Sequence, residues 1–230
     1  EAPDSLLSDS QGSNGQNPDD QWLQQLQQLA AGENDTLHMV DQAIDDRQLT
    51  SLSELPESAE LRNVLLDAGQ VTDAGLRSIA RCPVEHLRLR FSPITDDALR
   101  DLSVDPQYAP LRENLAILNL PQAELTAAGV RELQAFPKLF QLRLGGGQID
   151  DEAIAAIAQL PQLRSLHLIA PQLSDRALDH LAMAPKLTSL YLDQCPLGDD
   201  AWQRLFEAKP NLHVHIDQAH HDLDPKAHPH

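Results

Sequence analysis

Leu139-Phe140-Gln141-Leu142-Arg143-Leu144 recurs as Leu163-Arg164-Ser165-Leu166-His167-Leu168 and again as Leu187-Thr188-Ser189-Leu190-Tyr191-Leu192, each copy 24 residues after the last. An extended chain sends alternate side chains to opposite faces, so each copy reads as a short strand with a leucine-lined inner face. Five residues beyond each final leucine stands another aliphatic residue: Ile149, Leu173 or Leu197. A polar start signal follows, Asp150-Asp151, Ser174-Asp175 or Gly198-Asp199-Asp200, and then an apolar-periodic stretch such as Ala153-Ile154-Ala156-Ile157-Leu160. Ser, Thr or Asp before a helix accepts from its free N–H groups, and the acidic residue after it suits the positive helix end. Each unit closes near a proline, Pro161, Pro185 or Pro210, which stops the helix and returns the chain to the next strand.

The same frame extends in both directions. Leu115 to Leu120 opens a unit running to Pro137, and His86-Leu87-Arg88-Leu89 opens one containing Ile94-Thr95-Asp96-Asp97-Ala98-Leu99. Val64-Leu65-Leu66 leads to Val71-Thr72-Asp73-Ala74-Gly75-Leu76, and Leu37-His38-Met39 leads to Ile44-Asp45-Asp46. Leu212-His213-Val214-His215-Ile216 is a last strand, giving about eight strand positions across residues 36–217. A period of about 20–29 residues carrying L-x-x-L-x-L is the leucine-rich-repeat signature, and recurrence in register makes it specific. The fold predicted is an α/β solenoid, a horseshoe of about eight repeats with a parallel concave sheet and convex helices.

The helix starts Ile94-Thr95-Asp96-Asp97-Ala98-Leu99 and Val71-Thr72-Asp73-Ala74-Gly75-Leu76 resemble the ribonuclease-inhibitor-like and cysteine-containing class of leucine-rich repeats, bacterial members of which carry similar helices. The resemblance spans roughly residues 36–217 and implies a role in protein–protein recognition. The loop position that this class usually fills with Asn or Cys, to bond neighbouring loops, is Cys195 in one repeat and Gly69, Ser92, Ala123, Gly147 or Pro171 in others. An irregular loop ladder is therefore expected. Cys82 and Cys195 read as buried small hydrophobes, and a stacking distance of about 4.8 Å per strand keeps residues several repeats apart from forming a disulfide.

Composition narrows the function. Aromatic residues make up only 3% of the chain, so its core must be filled by aliphatic layers. A net charge of -18 opposes binding to phosphate backbones or anionic lipid, so nucleic acid is not an expected partner. No apolar run reaches the roughly 20 residues needed to span a bilayer, so no membrane insertion of this chain is expected. The chain opens on Glu1-Ala2-Pro3 without an initiator Met, which suggests a preceding segment such as a removed signal peptide, a cleaved anchor or a trimmed stretch. The compartment expected is periplasm, cell envelope or secreted, with cytoplasm as the alternative.

Four segments follow. Residues 1–18, rich in Ser, Gly, Asn, Gln and Asp, read as a disordered linker, and residues 19–35 as a cap helix built on Trp22, Leu23, Leu26 and Leu29. Residues 36–217 carry the repeats, and residues 218–230 form a His-rich tail. The unit opening at Leu87 is longer than the others. Its surplus around Ser103 to Pro110 is expected to bulge as a loop in which Tyr108 is available as a contact.

If the leucines point inward, the residues between them form the concave face. Its central column is His38, Leu65, Arg88, Asn119, Arg143, His167, Tyr191 and His215, flanked by His86, Arg90, Gln141, Ser165, Ser189, His213, Asp67, Asp193 and Asp217. Three arginines stand against three aspartates, so this face is near neutral in a strongly acidic chain. Either it is set apart as a binding surface, or parallel strands simply tolerate few like charges in register. The partner-binding candidates are Arg88, Arg90, Asn119, Arg143, His167, Tyr191, Asp193 and His215, with a protein as the expected partner.

Histidine gives a second candidate. His213 and His215 sit two apart on one strand and project from one face, a spacing that suits two imidazoles on one metal ion. His220 or His221 folding back would complete a nitrogen site for Zn, Cu or Ni; a frayed polar tail is the plainer reading. Catalysis has no counterpart motif: there is no nucleophile elbow, phosphate loop or cysteine pair. Asp45-Asp46, Asp96-Asp97, Asp150-Asp151 and Asp199-Asp200 are explained as helix starts, and the chain is not expected to be an enzyme.

Overall fold

Strands β1 (Thr36–Met39), β2 (Asn63–Leu66), β3 (His86–Leu89), β4 (Ile117–Leu120), β5 (Gln141–Gly145), β6 (Ser165–Ile169), β7 (Ser189–Asp193) and β8 (His213–Ile216) pair in parallel, each with the next in the chain. A two-residue strand, β9 (Ala219–His220), adds antiparallel to β8. Helix α1 (Pro18–Ala30) precedes the sheet. Helices α2 (Asp46–Thr50), α3 (Asp73–Ile79), α4 (Asp96–Val104), α5 (Ala109–Asn114), α6 (Ala127–Glu132), α7 (Asp151–Ile157), α8 (Arg176–Ala182) and α9 (Asp199–Ala208) fall between the parallel strands. The arrangement is a leucine-rich-repeat solenoid of about eight repeats, seen in a computed structural model that describes residues 18–56, 59–217 and 219–220. The N-terminal linker up to residue 17 and the tail from residue 221 lie outside those residues.

The leucine pattern is what makes the stack. Leu87, Leu118, Leu142, Leu166 and Leu190 occupy one registered row, Leu89, Leu120, Leu144, Leu168 and Leu192 another, and all are buried. Each contributes about 2 kcal/mol of burial, repeated along the stack with no central globule. The first strand would present an open edge, but the Gln25 carboxamide of α1 covers it. Gln25 Nε2 donates to His38 O at 2.7 Å and His38 N donates to Gln25 Oε1 at 2.8 Å, while Trp22 and Leu29 bury against the first layer.

Repeats are joined on the helix side by a device that the start signals only half reveal. The aspartate opening one helix accepts from the residue capping the next. Thr72 N and Oγ1 donate to Asp46 at 2.9 and 2.6 Å, and Thr95 N and Oγ1 donate to Asp73 at 2.9 and 2.6 Å. Thr126 bonds Asp96 in the same way, Ser174 bonds Asp151, and Gly198 N donates to Asp175 at 2.8 Å. The threonine hydroxyl also caps its own helix, as Thr95 Oγ1 does by accepting from Asp97 N. Gly75 and Gly129 make room for this joint: a Cβ at either would stand 2.4 or 2.2 Å from the neighbouring Asp46 or Asp96 carboxylate.

The strand-side loop ladder is irregular, as its residue types imply. Ser92 takes the bonding role once, accepting from Val71 N at 3.3 Å, and the Cys195 sulfur accepts from the Leu173 N–H in the equivalent place. One expectation fails. The surplus at residues 103–110 is not a bulging loop but a 3-10 turn over Pro106–Tyr108 followed by α5. Asp105 caps the turn by accepting from Gln107 N at 2.9 Å, and Arg112 Nη1 donates to the carbonyls of Leu102 and Asp105. Tyr108 is 6% exposed and packs in the core, so it is no surface contact.

Candidate functional site

The parallel register sets His38, Leu65, Arg88, Asn119, Arg143, His167, Tyr191 and His215 side by side across eight strands. All are half-buried or exposed, while their sequence neighbours point into the core. Asn63, His86, Ile117, Gln141, Ser165, Ser189 and His213 form the row before, and Arg90 and Asp193 flank the row behind. The near neutrality of this face is partly internal pairing. Arg88 holds Asp67 at 2.7 Å with His38 Nε2 3.7 Å away, and His167 Nε2 lies 2.7 Å from Asp193 Oδ2. Asp217 accepts from Gln194 N at 2.7 Å. All three aspartates of the face are therefore engaged.

The arginines are not matched in the same way. Arg143 has no carboxylate within ion-pairing distance among the described residues, and Arg90 lies over the Phe91 ring, 5.5 Å from its centroid. Arg143 Nε is buried and meets no acceptor, and the neighbouring Asn119 Oδ1 is buried and meets no donor. A buried polar group left so costs about 1–3 kcal/mol. Burial lowers the proton affinity of the Arg143 guanidinium, with Arg90 and Arg88 acting in the same direction and Asp193 against them. Asn119, Gln141, Arg143, Ser165, His167 and Tyr191 line a shallow hollow of about 330 Å³.

Phe91 was not singled out in the sequence. It is 56% exposed, and its backbone is left-handed at φ 55°, a region that L side chains seldom adopt. Its N–H donates to Gln122 Oε1 at 2.8 Å, which holds the turn and places the ring beside Arg90. The available signal was the scarcity of aromatics in the chain together with its place just past a strand.

The histidine end is a ring ladder. Tyr191 stacks on His215 at 5.0 Å, faces His167 at 5.6 Å and meets His213 edge-on at 6.2 Å. His213 and His215 approach to 2.9 Å between their Nε2 atoms. The backbone of His220 pairs with His215 through β9, and His221 lies outside the described residues. Among the described residues, no group of three or more His, Cys, Asp or Glu is gathered that would hold a metal ion.

No protein-family model matches the chain, and no curated protein does. Among solved structures it is similar to an internalin from Listeria monocytogenes, with a TM-score of 0.57 and 23% identity over 81% of this chain and 48% of that one. A leucine-rich-repeat protein from Leptospira interrogans gives a TM-score of 0.48 at 19% identity, over 68% and 37% of the two chains. The chain thus spans about half the length of the internalin or less of the other structure. Fold and repeat pattern together define a leucine-rich-repeat solenoid. Among its described residues no helix is long and apolar enough to cross a membrane.

Proposed function

We propose that this chain is a non-enzymatic recognition scaffold that binds a partner protein on the exposed face of its sheet. The observation that carries the reading is the hollow at Asn119, Arg143 and Tyr191, where the buried Arg143 Nε and Asn119 Oδ1 lack partners, as Arg88 Nε and Asp67 Oδ1 do further along the same face. Groups of that kind cost stability, and a ligand that pairs with them offsets the cost. A photo-crosslinking residue placed at Ser165 or Ser189 tests it against one placed at exposed Gln203 on α9. Partner adducts formed from the sheet positions support the reading, and adducts formed only from Gln203 overturn it. An envelope or secreted location goes with this proposal, and fractionation of the native cells checks it against the cytoplasmic alternative.

A second reading, a metal site on His213 and His215 completed by His220 or His221, is favoured by the 2.9 Å between the two Nε2 atoms. With metal–nitrogen bonds of about 2.0–2.1 Å that separation subtends about 90°, which suits Cu²⁺ or Ni²⁺ better than tetrahedral Zn²⁺. The same distance fits one imidazole N–H donating to the other ring. Calorimetric titration with each ion decides between them: binding by wild type that disappears in His215→Ala supports the site, and equal heats in both sink it.

A further inference from the structure

We infer that the centre of the exposed sheet face, around Arg143, receives a carboxylate side chain from an acidic segment of the partner protein. The inference rests on the face being the recognition surface and names the chemistry of what it recognises.

Charge argues for it first. Asp67 is taken by Arg88 and His38, Asp193 by His167, and Asp217 by the Gln194 backbone. The face as a whole stays near neutral, but Arg143 and Arg90 are left without an ion-pair partner among the described residues, within a chain of net charge -18. In a chain so acidic overall, two guanidiniums free of ion pairs on one face give an acidic segment a local point of attachment that favours docking there.

Hydrogen bonding argues for it independently. Arg143 offers a buried Nε–H donor with no acceptor, and a guanidinium presents its donors in a planar fork that matches a carboxylate. The adjacent Asn119 Oδ1, buried without a donor, asks for an N–H. A peptide supplies both groups together, an acidic side chain for Arg143 and a backbone N–H for Asn119, whereas a fully ionised phosphate supplies acceptors alone. Tyr191 and exposed Phe91 give flanking side chains apolar surfaces to lie on. Burial also disfavours the charged guanidinium in the unbound chain, an imbalance that an arriving anion would relieve.

The test is selection of random heptapeptides on the intact chain, with R143Q, R143K and Y191A measured alongside. Enrichment of Asp or Glu at one position is expected. The enriched peptides should lose about tenfold or more in affinity for R143Q, the scale of a lost charge-assisted hydrogen bond, and less for R143K. Added salt should weaken them further. Peptides without acidic enrichment, no selected peptides at all, or acidic peptides indifferent to R143Q overturn the inference. If such peptides still fail on Y191A, the face remains the recognition surface; if they ignore both variants, that broader reading fails too. Competition by inorganic phosphate as strong as by peptide reassigns the site to a small anion. Self-association abolished by R143Q reassigns it to a second copy of this chain, and either result overturns the acidic-partner assignment. Thermal unfolding of each variant confirms that the loss is not loss of fold.

Discussion

Replacing Gly129 by alanine should destabilise this protein although the change improves helix propensity. Gly129 lies inside α6, where alanine is favoured over glycine by about 1 kcal/mol. The added Cβ would meet Asp96 Oδ1 at 2.2 Å, Asp96 Cγ at 2.9 Å and the Asp96 backbone Cα at 3.0 Å. Asp96 must swing away, and it then loses the bonds it accepts from Thr126 N at 2.9 Å and Thr126 Oγ1 at 2.5 Å. Two hydrogen bonds to a charged group are together worth about 3 kcal/mol when the low end is taken for a part-buried site. The net loss is about 2 kcal/mol, a fall in Tm of about 4–8 °C for a chain of this size. Urea unfolding and calorimetry measure it directly. In an Asp96→Ala background the carboxylate clash and the joint are both gone and the tight 3.0 Å approach to the residue-96 Cα remains, so Gly129→Ala should then lie between neutral and a gain of about 1 kcal/mol. A stabilising Gly129→Ala in the wild type, or effects that add within about 0.5 kcal/mol across the cycle, would refute the reasoning.

Arg143→Met should raise stability by about 1–2 kcal/mol, because it removes a desolvated cation and its orphaned N–H from the face; a fall in the urea midpoint contradicts this. His86 has its pKa lowered from 6.5 by burial and then by Arg88. The unfolded chain therefore binds that proton first, and stability present above pH 6.5 is lost as pH falls toward the folded-state value. Wild type should weaken more than His86→Gln over that window, and parallel pH profiles for the two would count against it. Burial pushes the thiols of Cys82 and Cys195 up, with Asp151 and Asp217 adding to the effect at Cys195 against the Leu173 N–H. Iodoacetamide should label Cys195 at least about tenfold more slowly than an unfolded peptide, at a rate that rises with urea, and labelling at the peptide rate in native buffer would show the thiol to be open.

The rows of the sheet were legible because Leu142, Leu166 and Leu190 repeat at a fixed spacing and a strand has only two faces. That geometry carried Arg88, Asn119, Arg143, His167 and Tyr191 onto one surface without any knowledge of contacts. Side-chain pairing was not legible. Asp67 meets Arg88 across 21 residues and Asp193 meets His167 across 26, and nothing local announces which cation is left over. The joint between helices escaped for the same reason. Asp96 reads as a helix start on its own, and its second role appears only when Thr126, 30 residues on, is stacked beside it. Tyr108 was misjudged because Pro106 and Pro110 suggest a loop, whereas Pro106 sits in the first turn of a capped 3-10 helix and the tyrosine is carried inward.

One joint in the stack is missing both of its halves. Helix α6 opens on Ala127 where its neighbours carry aspartate, and the next cap is Asp150 where a threonine or serine would bond to one. Asp150 turns to its own helix, accepting from Ala153 N at 2.9 Å, and the two repeats are linked on their outer side by the solvent-exposed Arg131–Glu152 pair. Exposed pairs contribute about 1 kcal/mol or less. The seam thus lacks the outer-side joint that its neighbours have, and hydrogen exchange should run faster there than at the Asp73–Thr95 or Asp96–Thr126 joints. The strands on either side of the seam are those that carry Asn119 and Arg143. A ligand held by both residues would span the two repeats that lack this joint, and hydrogen exchange at the seam should slow when it binds.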